Sequence, residues 1–195
     1  MRPMLKIKKK IDLNLKVLKF LFISSFIFTL PINYFIEDAK AALEFQWDQN
    51  SGYKKLKWFQ KESNNNFKNT IYFFLRPTDR DTSLIKIDLA IPKTFKTKIK
   101  TKNISLCRVR IGGFSSRTKC LEDIPVDLEI KDEESSNKRI HIYPSSPIPS
   151  NKDSYAIVLK ANNPKRSGLF QFHSFGQPIG KTSSSYLGSW TIVID

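Results

Sequence analysis

Residues 84–91 read LIKIDLAI, and this stretch decides the fold that the sequence predicts. Large apolar residues fill most of its positions, and the charged side chains of Lys86 and Asp88 alternate with them. The pattern therefore repeats every two residues rather than every 3.6, which is typical of a β-strand with a buried face. Residues 84–91 are predicted to form a strand of the core.

The same pattern continues along the chain from Ala42 onward. Seven further segments are predicted as strands: 69–75, 104–111, 126–130, 139–143, 154–159, 169–175 and 186–194. Turn signals separate them at 76–79, at 112–113, at 162–164 and at Gly180. Many short strands at this spacing predict an all-β fold, a single-domain antiparallel β-sandwich with an immunoglobulin-like arrangement as the specific expectation.

Helical signal is weak throughout the chain. A short helix is expected only at 119–123 or at 132–135. The polar, Asn-rich residues 51–69 are interpreted as a long hairpin loop.

The chain is strongly basic. Its 195 residues include 33 Lys and Arg against 18 Asp and Glu, which gives a formal charge of +15. This balance favours anionic partners, namely nucleic acid, anionic lipid or acidic polysaccharide, and the alternative is that it serves only solubility. Nucleic acid is set aside because it conflicts with the export predicted next and no recognised binding motif is present.

The N-terminus is predicted to be a signal peptide that spans residues 1–41. Six lysines between Lys6 and Lys19 precede the apolar run of residues 20–30, FLFISSFIFTL. Ala39 and Ala41 supply the small residues of a cleavage site, so the mature domain would span 42–195. The alternative is an uncleaved anchor, although the apolar run is short for a membrane span of about 20 residues. Cleavage would leave a formal charge of +10.

The only two cysteines, Cys107 and Cys120, enclose the sequence CRVRIGGFSSRTKC. Their spacing fits neither a zinc site nor a CxxC redox pair. In an exported protein a cysteine pair favours a disulfide. With residues 112–115 as the loop of a hairpin, the two cysteines would lie directly opposite each other, within disulfide range.

That register also fixes the basic side chains of the hairpin. Arg108 would face Lys119, and Arg110 would face Arg117. Like charges directly opposed across strands are destabilising. Either the hairpin is a solvated tip, or these four residues bind an anion such as a carboxylate, sulfate or phosphate.

Evidence for catalysis is sparse. His141 and His173 lie within predicted strands and are interpreted as structural or exposed histidines. No nucleophile, phosphate-loop or zinc-protease motif is present, and nothing in the sequence selects a carboxylate pair for glycoside hydrolysis. Trp47, Trp58 and Phe59 are expected in the core, with carbohydrate stacking as the alternative.

The C-terminal half carries a set of motifs found together in one family. They are a Pro-rich connector at 146–149, a strand at 156–160, an Asn-Pro…Gly turn with its following strand at 163–170, Gly180, and 186–188 leading to Trp190. The chain resembles cyanobacterial exported proteins of the domain of unknown function 2808 family, with departures at 149–150 and 176–180. The resemblance implies a periplasmic or envelope location and brings no catalytic residues.

These observations predict an exported, non-catalytic binding or structural module of the cell envelope. The expected partners are an anionic envelope polysaccharide or lipid head groups, and envelope proteins are also possible partners. The hairpin residues Arg108, Arg110, Arg117 and Lys119 are the candidate contacts, and no metal or cofactor is expected. Two alternatives stay open: a carbohydrate-active hydrolase, and a subunit of an envelope protein complex.

Overall fold

The structure is a computed structural model that describes residues 52–131 and 138–195. Ten strands and two short 3-10 helices, at Pro77–Asp79 and Thr101–Asn103, make up the secondary structure of these residues. The strands are β1 Trp58–Gln60, β2 Lys68–Leu75, β3 Leu84–Ile91, β4 Ile104–Arg110, β5 Lys119–Ile124, β6 Val126–Lys131, β7 Lys138–Pro144, β8 Ser154–Asn162, β9 Gly168–Pro178 and β10 Ser185–Ile194.

The strands form two five-stranded sheets. Sheet I has the order β1-β2-β8-β4-β5, and sheet II has the order β10-β9-β3-β7-β6. Every neighbouring pair of strands is antiparallel. The prediction of an all-β antiparallel sandwich is therefore confirmed.

The core lies between the sheets and follows the alternation of the sequence. In β3, Ile87, Leu89 and Ile91 are buried in one large cluster, whereas Lys86 and Asp88 belong to the outer face of sheet II. Trp190 and Phe73 pack at its centre with ring centroids 5.0 Å apart. Burial of these aromatic side chains is a main source of stability, since each one removes a large apolar area from water.

Sheet I also buries apolar side chains on its outer face. Leu106 of β4 faces the core, whereas its neighbours Cys107 and Val109 belong to a second buried cluster with Phe74 and Ala156. Such a strand is apolar on both faces over part of its length. This second cluster supports the hairpin described below.

Two expectations about local structure were wrong. Residues 119–123, considered for a helix, lie in β5, because pairing with β4 outweighs the helix propensity of Leu121 and Glu122. Residues 58–60, expected within a loop, form β1 and pair with β2. The other helix candidate, 132–135, lies outside the described residues.

The motifs of the C-terminal half have structural roles. The connector at 146–149 is extended at Ile148, whose N–H and carbonyl both bond to Leu84. Gly168 has a φ of +148°, which an L residue rarely adopts. Gly188 lies at a bulge in β10, and a Cβ there would come within 2.7 Å of the carbonyl oxygen of Lys54.

Asn163 explains the Asn-Pro motif. It is buried, and its side-chain amide donates to the carbonyl oxygens of Glu62 and Asn64, at 3.2 and 2.8 Å. The amide of buried Asn69 donates to its Oδ1 at 3.0 Å. This network joins the turn after β8 to the loop before β2, since buried amide groups require hydrogen-bond partners.

Over residues 52–131 and 138–195, no helix has the length and apolar character needed to cross a membrane. The predicted signal peptide of residues 1–41 lies outside this range. Its cleavage therefore stays a prediction.

Candidate anion-binding groove

The disulfide between Cys107 and Cys120 is present, with Cα atoms 5.7 Å apart. The register around it differs from the expected one. Cys120 lies opposite Val109 rather than Cys107, and a bulge follows, so that Arg108 pairs with Glu122. The loop is longer than expected, residues 111–118, and the disulfide joins diagonal rather than directly opposed positions.

The changed register separates the four predicted basic residues. The expected pairs Arg108 with Lys119 and Arg110 with Arg117 were wrong. Arg108 makes an ion pair of 3.1 Å with Glu122, and Arg110 lies opposite Lys119. Arg117 extends from the loop toward a groove on sheet I. Binding of an anion by the four residues stays a prediction, and Arg117 alone among them lines this groove.

Cys107, Cys120 and Asp123 lie close enough together to hold a metal ion. The two sulfur atoms are bonded to each other, however, so neither is available as a thiolate ligand. A metal site at this position would require reduction of the disulfide first.

The loop at the end of the hairpin has a fixed conformation. The N–H of Gly113 donates to the carbonyl oxygen of Ser116 at 3.0 Å, and the N–H of Gly112 donates to Thr118 Oγ1 at 3.1 Å. A Cβ at position 112 would lie 2.6 Å from the backbone nitrogen of Thr118, so only glycine fits without movement. This turn leaves Phe114 fully exposed at the tip.

The groove has a volume of about 1200 Å³ and lies between β1, the end of β2 and the hairpin. Its apolar lining includes Trp58, Phe59, Phe74 and Ile111. Phe74 also belongs to the second buried cluster, in which Ala156 of β8 lies between Phe74 of β2 and Cys107 of β4.

All charged side chains that line the groove are cationic. Its lining contains five cationic side chains and no carboxylate; the cations are Lys55, Lys57, Lys61, Arg76 and Arg117. Arg76 pairs with buried Asp79 at 2.9 Å. In the described part of the chain, Lys57, Lys61 and Arg117 have no carboxylate partner within ion-pair distance. Low-dielectric walls strengthen the field of clustered charges, so a lining of this composition favours a positive potential in the groove.

The aromatic residues singled out in the sequence contribute to this groove. Trp58 is half-buried and packs against the core, as expected, but part of its surface faces the groove. The expectation that Phe59 lies in the core was wrong, because it is 41% exposed and its ring lies 5.9 Å from that of Tyr72 at a tilt of 40°. Trp47 lies outside the described residues.

The outer face of sheet II carries a different arrangement of charges. Buried Asp88 accepts hydrogen bonds from His141 Nδ1 at 2.5 Å, from Lys86 at 3.0 Å and from Ser184 Oγ at 2.9 Å. Burial acts to raise the pKa of Asp88, but these hydrogen bonds outweigh it and the pKa is lowered. His141 is therefore a structural histidine, as interpreted from the sequence.

His173 lies beside a serine, which in other proteins can form part of a catalytic pair. Its Nδ1 is 2.7 Å from Ser189 Oγ, and Tyr186 Oη is 2.6 Å from the same oxygen. Ser189 is fully buried, so its hydroxyl has no path to a substrate. Burial also lowers the pKa of His173. The arrangement stabilises β9 against β10.

One basic surface was missed by sequence reasoning. The strap, residues 93–102, connects the two sheets, and its Phe95 and Ile99 are buried in the core. Lysines at every second position from Lys96 to Lys102 are exposed. The sequence signal is the run KTFKTKIKTK at 93–102, in which lysines alternate with threonines and Ile99. The strap lies at the opposite end of β4 from the hairpin, about 23 Å away at about 3.3 Å per residue.

Comparison with known proteins finds structures of similar fold but assigns no function to this chain. No curated protein matches this chain. Among solved structures it is similar to BslA, a bacterial hydrophobin, with 11% identity, a TM-score of 0.44 and coverage of 73% of this chain and 95% of that chain. The collagen-binding subdomain of the Enterococcus faecalis surface protein ACE matches with 6% identity, a TM-score of 0.40 and coverage of 72% and 97%.

A third solved structure is an uncharacterized Nocardia farcinica protein with an immunoglobulin-like fold, at 10% identity, a TM-score of 0.37 and coverage of 72% and 97%. The family model described as "Protein of unknown function (DUF2808)" matches residues 46–194, which include every strand of both sheets. The chain therefore belongs to the DUF2808 family of proteins of unknown function.

Proposed function

We propose that this protein is an exported, non-catalytic binding module of the cell envelope, and that its groove binds an anionic envelope component. The observation that carries the proposal is the composition of the groove: its lining contains no carboxylate, and three of its five cations, Lys57, Lys61 and Arg117, have no carboxylate partner among the described residues. Like charges that cluster without partners repel one another. A bound anion would remove this repulsion.

The chemistry of the lining indicates the kind of ligand. Arginine forms paired hydrogen bonds with carboxylate, sulfate or phosphate, and lysine supplies point charges. The partly exposed rings of Trp58 and Phe59 add apolar contact area beside the cations. An anionic polysaccharide or a lipid head group offers both kinds of surface.

Export is supported by the sequence of the N-terminus and by the disulfide. The lysine-rich stretch, the apolar run of residues 20–30 and the small residues Ala39 and Ala41 follow the order of a signal peptide. Disulfides persist in oxidising compartments outside the cytosol. Both features favour a periplasmic, envelope-bound or extracellular location.

The hydrolase alternative lacks support in the geometry. Glycoside hydrolysis uses two carboxyl groups across a cleft, and the lining of this groove contains neither Asp nor Glu. Ser189, the serine beside a histidine, is buried. Binding without catalysis accounts better for the groove.

The test compares two charge-matched variants in binding to isolated envelope fractions. The groove variant is Lys57→Ser, Lys61→Ser and Arg117→Ser; the strap variant is Lys98→Ser, Lys100→Ser and Lys102→Ser. Each lowers the net charge by the same amount, and every changed side chain except that of Arg117 is a lysine. The protein is used in the form that the host exports, with its N-terminus determined by mass spectrometry.

The proposal predicts that wild-type binding weakens as salt rises, because exposed charges are screened within about 8 Å at physiological salt. The groove variant should lose this binding, and the strap variant should retain it. Equal loss in the two variants would show that net charge alone is responsible, and the assignment to the groove would fail.

A further inference from the structure

Phe114 is more exposed than any other large apolar side chain that the structure describes. It lies at the tip of the hairpin, between Gly113 and Ser115, and is not part of either buried cluster. A phenylalanine side chain left in water does not contribute the favourable free energy that its burial would supply. Its exposure at the tip leaves the ring accessible to an apolar phase outside the protein.

The hairpin holds Phe114 outward. The disulfide ties β4 to β5 at the base, and two hydrogen bonds close the loop, from Gly113 to Ser116 and from Gly112 to Thr118. Because the loop is already ordered, insertion of the ring into an apolar phase costs little conformational entropy.

Cations flank the tip along the hairpin. Arg110 and Lys119 lie opposite each other where the strands end, and both are exposed. Arg117 follows the tip and extends to the groove. An apolar side chain with a collar of cations matches the boundary of an anionic bilayer, where acyl chains lie beneath phosphate groups.

We propose that the hairpin inserts Phe114 into the interface of an anionic lipid bilayer, with Arg110, Arg117 and Lys119 at the level of the head groups. The proposal rests on the proposed function and names its ligand as a lipid surface rather than a polysaccharide. A polysaccharide chain in the groove would stack on rings in its lining, such as Phe59, and would leave a ring at the tip in water. A bilayer accounts for both the groove cations and the tip.

The experiment measures binding of the exported protein to vesicles of phosphatidylcholine with and without phosphatidylglycerol. The variant is Phe114→Ser, and the matched control is Phe67→Ser. Phe67 is 59% exposed and precedes β2 at the end of sheet I opposite to the hairpin. A second variant, Phe114→Trp, reports insertion directly through quenching of its fluorescence by lipids brominated on the acyl chain.

We expect wild type to bind the anionic vesicles and not those of phosphatidylcholine alone. Phe114→Ser should weaken binding about tenfold, which corresponds to partial burial of a phenylalanine side chain. Phe67→Ser should bind like wild type. Phe114→Trp should bind like wild type and show more quenching than the native tryptophans alone.

Dextran sulfate, a soluble polyanion, separates this inference from the proposed function. If Phe114→Ser binds vesicles as wild type does and Phe114→Trp shows no extra quenching, insertion is overturned, even where groove-dependent binding to envelope or dextran sulfate persists. If dextran sulfate binds and anionic vesicles do not, the lipid surface is also overturned. If neither these probes nor envelope fractions bind in a salt-sensitive manner, the proposed function itself fails.

Discussion

The two outer faces of the sandwich differ in whether their charged side chains have partners of opposite charge. On sheet II, the carboxylate of Asp88 accepts bonds from Lys86, His141 and Ser184. On sheet I, the cations Lys57, Lys61 and Arg117 of the groove have no carboxylate partner among the described residues. Paired buried groups hold strands together, whereas unpaired clustered cations do not contribute to folding. This difference is the basis of the proposal that the face of sheet I binds an anionic ligand, whereas the paired groups of sheet II stabilise the fold.

The first prediction concerns the Cys107–Cys120 disulfide of sheet I. The double change Cys107→Ser and Cys120→Ser should lower the free energy of unfolding by about 3 kcal/mol, because the disulfide closes a short loop in the unfolded chain. Envelope binding should weaken as well, since Arg117 and Phe114 are held by this hairpin. Urea titrations and binding assays with and without a reductant measure both effects. Unchanged binding by a folded, reduced protein would show that the hairpin does not shape the site.

The groove variant should show the second largest effect, and this effect should be on binding alone. Three cations near an anionic surface contribute about 1 kcal/mol each, so their loss should weaken binding about 100-fold at low salt. The free energy of unfolding should stay within about 0.5 kcal/mol of wild type. A marked loss of stability instead would mean that these cations have structural partners, and the contrast between the faces would disappear.

Asp88→Asn should lower stability and leave binding unchanged, which is the reverse of the result expected for the groove variant. The variant leaves His141 and Lys86 without a charged acceptor, which should lower the free energy of unfolding by about 2 kcal/mol. Binding to envelope fractions should not change. Asp127→Asn, an exposed position on β6 of the same sheet, is the control and should stay within about 0.5 kcal/mol. If Asp88→Asn is fully folded but binds envelope fractions more weakly than wild type, sheet II also takes part in binding.

The smallest expected effect is the pH dependence of stability, which comes from the same face. Burial lowers the pKa of His173, so the unfolded chain takes up a proton first and stability decreases below about pH 6.5. The pKa of Asp88 is also lowered, so a further decrease follows below about pH 4. Lys86, His141 and Ser184 surround that carboxylate.

Urea unfolding at several pH values separates the two steps. His173→Gln should flatten the decrease that starts near pH 6.5 and leave the one below about pH 4. If stability rises instead as the pH falls from about 7 to about 5, the assignment of His173 is wrong.

Most strands of the fold could be predicted from the sequence, because alternation records which face is buried. Residues 84–91 form β3 as expected, and β6, β7 and β10 agree with their predicted segments to within a residue or so. β1 was missed because it is short, and residues 119–123 were misjudged because Leu and Glu suit a helix as well as a strand. In both regions the partner strand decides the structure, and a sequence window does not contain the partner.

The candidate site was predictable only in part. The cysteine pair identified the hairpin but not its register, which contains a bulge after Arg108 and an eight-residue loop, residues 111–118. Arg117 was identified, whereas Lys57 and Lys61 lie about sixty residues away from it in the sequence. They line the same groove as Arg117 only because the fold brings β1 and the hairpin to one end of sheet I.

The most direct test of the central claim is the salt dependence of envelope binding by wild type and by the groove variant. If the unpaired cations of sheet I are the binding surface, wild-type affinity falls steeply between about 50 and about 500 mM salt, and the variant binds weakly with little dependence on salt. If the variant shows the same steep decrease from the same starting affinity, the binding surface lies elsewhere and the contrast between the two faces has no functional meaning.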